Sequence, residues 1–167
     1  MLRTIDDFAT LWTREADETQ KVLDTLTDKS LAQQVTADHR TLGRMAWHLT
    51  ATIREMMERT GLKVEGPDEH APVPASAAAI AKMYAKSAKS LAAAVRKGWT
   101  DATLSQQDDM YGQQWTRAFT LTCLVLHQVH HRGEMIVLMR QAGLQVPGIY
   151  GPAKEDWSKM NMQPPSI

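Results

Sequence analysis

The segment from Trp115 to Ala142 is the longest strongly apolar stretch of the chain, and it carries histidine at two positions four apart, His127 and His131. It contains no proline and stops at Gly143, so its spacing predicts a long α-helix. On a helix, positions i and i+4 lie about 40° apart around the axis and roughly 6 Å apart along it. Phe119 or Thr120, Leu124, Glu134 and Leu138 share that face, so the two imidazoles are predicted to look inward. Two inward imidazoles at this spacing can grip one transition-metal ion. A helix of this kind needs other helices to cover it.

The rest of the chain supplies them. Thr4 with Asp7 three residues on reads as a capping box, opening a helix over residues 5–26 whose stripe runs through Ile5, Phe8, Trp12, Glu15, Thr19 and Val22. A second helix is predicted over 40–60, starting near Asp38 or Thr41 and ending at Gly61. Residues 61–75 hold Gly66, Pro67, Pro72 and Pro74 and read as a loop; Ser76 then caps a third helix over 76–97. The fourth helix spans 115–142, reached through a loop at Asp108 to Gly112. No segment reads as a strand. The expectation is an all-α, four-helix bundle formed by a single domain over residues 1–167. The loop between the second and third helices exceeds the usual length for antiparallel neighbours and is expected to cross the bundle end. A C-terminal extension begins in the proline- and glycine-rich run Val146 to Pro152, with a short helix near Ala153 and Trp157 packing back on the bundle.

Charge and cysteine content narrow the class. Nineteen basic residues balance nineteen acidic ones, whereas a nucleic-acid binder carries a clustered basic excess. No stretch approaches the ~20 apolar residues of a membrane span, and the start of the chain has no signal-peptide pattern. One cysteine, Cys123, excludes an intrachain disulfide and fits a reducing cytoplasm.

The third histidine of interest is His48, on the second helix beside Met45 and Leu49. Alone it reads as a histidine at a helix flank, but with His127 and His131 it completes a three-histidine set, the metal site predicted here. Glu134 lies three residues after His131 on the same face. It is the candidate catalytic residue, able to orient a ligand or act as general base; the alternative is a structural pair with Arg132 or Arg140. His130 points about 60° away from His127 and reads as a structural or interface residue. Cys123, one turn before His127, reads as a small core hydrophobe. Arg132 is expected to bind a carboxylate and Gly133 to allow close helix approach. His39 and His70 fall in or beside loops and are expected to be solvated. Met45, Met56, Met57, Met110, Met135 and Met139 are read as core filling or pocket lining.

The order of these residues resembles a known family. His48 in the second helix, then His127-x-x-x-His131-Arg132-Gly133 in the fourth, resembles the DinB/YfiT-like superfamily. So do Tyr111-Gly112, Leu138 to Leu144, and Val146 to Pro152. The resemblance spans almost the whole chain. It implies a four-helix bundle, one divalent metal on the three matching histidines, and pairing as a homodimer. Some relatives transfer low-molecular-weight thiols such as bacillithiol or mycothiol onto electrophiles.

Three histidines leave an open coordination position, the pattern of catalytic rather than structural zinc. Such a centre can activate a thiol or a water near neutral pH, and the first reading is a metal-dependent transferase acting on a small electrophile. A hydrolase and a non-catalytic metal-binding dimer are the alternatives. All-imidazole ligation suits zinc or nickel, with iron also open. Asp108, Asp109, Tyr111 and Gln114 are expected to shape the entry to the pocket.

Overall fold

Each long helix begins where a hydroxyl side chain can take up a free amide of the first turn. In the computed structural model, which describes residues 2–166, Thr4 Oγ1 accepts from the Asp7 amide and the Asp7 carboxylate from the Thr4 amide, both at 3.0 Å. This box opens α1 (Ile5–Thr25). Thr41 opens α2 (Leu42–Glu58), Ser76 opens α3 (Ala77–Gly98) and Thr116 opens α4 (Arg117–Gln141). Gly61 and Gly143 follow α2 and α4 with φ of 75° and 76°, the left-handed geometry that ends a helix cheaply only at glycine. The predicted bundle of four helices is therefore present. Its core includes Trp12, Leu49, Ile53, Tyr84, Leu91 and Leu124, all essentially inaccessible to solvent. The six methionines read as core or pocket residues are all buried. Among the described residues no helix is long and apolar enough to cross a membrane.

Packing places α1 against α3 and α4, and α2 against the same two helices, so α1 and α2 lie diagonally, as do α3 and α4. This corrects the expectation for the connection between α2 and α3. That loop joins neighbours and stays beside them: Trp47 Nε1 donates to Ala71 O at 3.1 Å, and the Glu65 amide donates to Ser90 Oγ at 2.9 Å. The crossings are made by the other two connections. The first holds a 3-10 turn, Asp28–Ala32, seated so tightly on α2 that a Cβ on Gly43 would lie 3.0 Å from Leu31 Cβ.

The second crossing overturns the expectation that the chain has no strand. After a 3-10 turn at Asp101–Ser105 come β1 (Gln107–Met110) and β2 (Gln113–Thr116), an antiparallel hairpin turning at Tyr111 and Gly112, with φ of 59° and 81°. Both turn residues sit at positive φ, the pattern of the tight hairpin turns that match strand twist. Glutamine and aspartate are weak strand formers, so periodicity gives no sign of it. Tertiary contacts hold it instead: Met110 is fully buried, and Arg117 pairs with Asp108 at 3.0 Å while lying 4.8 Å over the Trp99 ring. The hairpin also moves the start of α4 from the expected Trp115 to Arg117.

One polar cluster crosses the core. Arg132 on α4 reaches Glu15 on α1, Nη2 to Oε2 at 2.6 Å, and its Nη1 donates to Glu15 O and Thr19 Oγ1 at 2.9 and 3.0 Å. Tyr150, from the C-terminal extension, donates its hydroxyl proton to Glu15 Oε2 at 2.5 Å and accepts from Arg132 Nη2 at 2.7 Å. Burial alone would raise the Glu15 pKa, but the Tyr150 and Arg132 hydrogen bonds outweigh it and hold the carboxyl below its usual value. Arg132 thus binds a carboxylate, and that carboxylate is not Glu134. Gly133, beside it, does not serve a close helix approach: a Cβ there meets nothing within 4 Å. The extension carries the short helix α5 (Asp156–Lys159), with Trp157 half-buried.

Breaking a buried ion pair by removing one partner costs about 3–5 kcal/mol. Arg132→Met is expected to lose stability of that order in urea unfolding. Adding Glu15→Gln should recover part of the loss, because no lone buried charge then remains. Additive losses would contradict the pairing.

Candidate metal centre

The centre lies where α2 meets α4. His48 comes from the middle of α2, and His127 and His131 from successive turns of α4. A neighbouring buried hydrogen bond, Gln128 Nε2 to Leu49 O at 3.0 Å, ties the two helices together at this level. His48 Nε2 and His127 Nε2 stand 3.2 Å apart, and each of the three rings can offer a nitrogen within 4.8 Å of the other two. All three rings are half-buried. His131 Nδ1 lies 2.5 Å from Glu134 Oε2, which orients its other nitrogen away from the carboxylate.

The donor set fits a divalent cation. Metal–nitrogen bonds of about 2.0–2.1 Å at a tetrahedral angle put two nitrogens roughly 3.3 Å apart, close to the His48–His127 spacing. Ligation needs neutral imidazoles, and the environment favours that form at His48 and His127. Burial, reinforced by Arg40 and the neighbouring histidines, pushes the His48 pKa down to about 3. Burial, with His131 and His130 beside it, pushes His127 down to about 4.

Two cavities meet the centre from different sides. One, of about 490 Å³, is lined by His131, Glu134, Arg40, His39, Met45 and Val137 among others. The other, of about 410 Å³, is lined by His48, His127, Thr52, Glu55, Tyr111 and Cys123 among others. Tyr111 at the hairpin tip donates to Glu55 Oε2 at 2.7 Å, and Arg59 lies 4.2 Å over its ring. Burial and the Glu55 hydrogen bond raise the Tyr111 pKa, so the phenol stays protonated.

The structure brings His48, His127 and His131 together and sets Glu134 against His131. Glu134 does not pair with Arg132 or Arg140, which hold Glu15 and Glu155. His130 is exposed and touches the other Glu134 oxygen at 3.3 Å. Cys123 is half-buried on the second cavity, its thiol pKa raised by burial. His70 is exposed in the loop, as expected. His39 is exposed too, yet it stands on the rim of the first cavity. Of the four expected entry residues Tyr111 alone lines one of these two cavities; Asp108 is held by Arg117, Asp109 accepts from the Gly112 amide, and Gln114 is exposed. Sequence reasoning missed Thr52, Glu55 and Arg40. The first two follow His48 by four and seven residues and so share its helix face, a signal that was legible.

In the unfolded chain a histidine titrates near pH 6.5. Between that pH and the depressed values in the fold, the unfolded state binds more protons, so stability falls as pH falls. Metal-free protein is expected to lose urea stability from pH 7 to 5, and His48→Gln with His127→Gln to flatten that loss. An unchanged slope would contradict the buried neutral state of both rings.

Comparison with known proteins agrees with this architecture. The DinB family matches residues 1–165. The chain is 47% identical over its full length, and the full length of the relative, to the uncharacterized protein YrdA of Bacillus subtilis. The crystal structure of a DinB-like protein from Bacillus cereus superposes with a TM-score of 0.87 at 47% identity, covering 90% of this chain and all of that one. A second DinB-like protein, YjoA of Bacillus subtilis, shares the fold at a TM-score of 0.60 and 16% identity, over 88% of this chain and 99% of that one. On these matches, and on a four-helix bundle presenting three convergent histidines, the chain belongs to the DinB family.

Proposed function

We propose that His48, His127 and His131 bind one divalent transition metal, zinc or nickel foremost, and that the protein is an enzyme activating a thiol or water for transfer to a small electrophile. The observation that carries this reading is the convergence of three histidine ring nitrogens, within 4.8 Å of one another, between two cavities. A divalent cation held there supplies Lewis acidity, which brings the pKa of an incoming thiol or water toward neutrality. The chain's residues do the rest. Glu134 fixes the His131 ring through Nδ1 and, on the cavity side, can accept a proton from a nucleophile. Tyr111, Glu55 and Arg59 form a rigid wall on the opposite side. In this reading the thiol comes from outside, and Cys123, its pKa raised by burial, lines the second cavity.

The reading includes a cytoplasmic setting and two copies acting as a homodimer. Exposed Phe119, Leu126 and Val137 leave α4 apolar on its outer face, and light scattering is expected to give twice the chain mass at micromolar concentration.

Elemental analysis of tag-free protein purified without added metal is expected to give one equivalent of metal. Alanine at His48, His127 or His131 should abolish it, while His39→Ala and His70→Ala retain it. Removing an outer-shell carboxylate weakens a metal site by about 10–100-fold; Glu134→Ala should do so and Glu134→Gln less, since the amide oxygen still accepts from His131. Full metal in the three histidine variants would overturn the assignment. With metal loaded, turnover on a panel of thiols and electrophiles is expected; hydrolysis without thiol would favour water as the nucleophile.

A further inference from the structure

We infer that His130, His131 and Glu134 form a second divalent-metal site, on the outer side of the His131 ring and beside the 490 Å³ cavity. This site goes beyond the three-histidine centre and shares one ring with it. His131 Nδ1 serves the second site, while the ring's other nitrogen is turned toward His48 and His127.

Helical spacing builds the cluster. On α4, Glu134 follows His130 by four residues and His131 by three, so the three side chains meet within one turn. The carboxylate lies between the two rings, with Oε2 2.5 Å from His131 Nδ1 and Oε1 3.3 Å from His130 Nε2. The ring centroids are 4.9 Å apart. One donor atom from each residue lies within 4.8 Å of the other two, the same closeness as in the three-histidine set. Bonds of about 2.0–2.2 Å to a tetrahedral ion place neighbouring donors roughly 3.3 Å apart, the spacing that His130 and Glu134 already have. Two imidazoles and one carboxylate are the ligands of His2Glu catalytic zinc sites, and they also suit iron(II). An ion bound here takes the place of the proton shared by His131 Nδ1 and Glu134, and that proton leaves to solvent. The surroundings favour a cation. Two carboxylates, Asp38 and Glu134, line the cavity against one guanidinium, Arg40, so with neutral histidines its walls carry one net negative charge. His130 is 66% exposed, which makes this the weaker of the two sites, filled when metal is added.

The test is a calorimetric titration of metal-free, tag-free protein with zinc, near neutral pH, in buffers of different ionisation enthalpy. Wild-type protein is expected to bind two zinc ions per chain in two steps, the second weaker and accompanied by release of about one proton. Loss of an outer-shell partner alone weakens a metal site by about 10–100-fold. His130→Ala removes a direct ligand, so it should weaken the second step by about tenfold or more and leave the first within about twofold. His48→Ala should do the reverse. His70→Ala, an exposed histidine outside both sets, should retain both steps. A single zinc ion in the wild type, lost in His48→Ala, overturns the second site and leaves the metal reading standing. A single ion that survives His48→Ala and is lost in His130→Ala overturns the metal reading alone. A second step unmoved by His130→Ala, or one of half an ion per chain, as an ion shared between two copies would give, overturns the assignment.

Discussion

The rotation of α4 about its own axis decides whether this fold has a centre at all, and the buried pair between Arg132 and Glu15 is what sets it. Apolar residues lie all around α4, with Leu124 and Leu138 buried and Leu126 and Val137 exposed. Hydrophobic burial alone therefore discriminates poorly between rotations of the helix. A buried guanidinium discriminates sharply, because any other rotation strands it without a carboxylate. With Arg132 fixed on α1 and Gln128 fixed on the backbone of α2, His127 and His131 have one direction left. Polar groups in the core here specify geometry, a role distinct from adding stability.

That division of labour explains which parts of the protein could be read from its residues. Helix content was legible because each long helix carries an apolar stripe, a hydroxyl cap and, for α2 and α4, a glycine stop. The histidine set was legible because His127 and His131 are locked by helical spacing, and the family resemblance tied His48 to them. The hairpin was not, since Gln107 to Gln114 is mostly polar and lacks apolar alternation, and contacts across the fold hold it: the buried Met110, the Asp108–Arg117 pair and the Tyr111–Glu55 hydrogen bond. Nor was the diagonal arrangement of consecutive helices, which depends on two connections whose order comes from 3-10 turns packed on the bundle. Glu15 and Thr19 sat in the apolar stripe of α1, and their presence there already signalled a polar partner within the core.

Arg40 is illegible for a different reason. It follows a polar, loop-forming stretch and resembles any exposed arginine until the cavity is seen beside it. Surface charges gain meaning only from their neighbours, and periodicity contains no information about neighbours across a bundle.

The centre also has a position in time. Its His48–His127 nitrogen pair joins residues separated by 79 positions, and two of its three rings lie in the last of the long helices. During synthesis His48 emerges long before its partners, so a fragment ending before α4 holds one imidazole where three are needed. A zinc finger gathers its ligands locally and folds around the ion. Here the bundle must dock α4 first, so a metal ion bound by the proposed site would be captured at the end of assembly, after synthesis of nearly the whole chain.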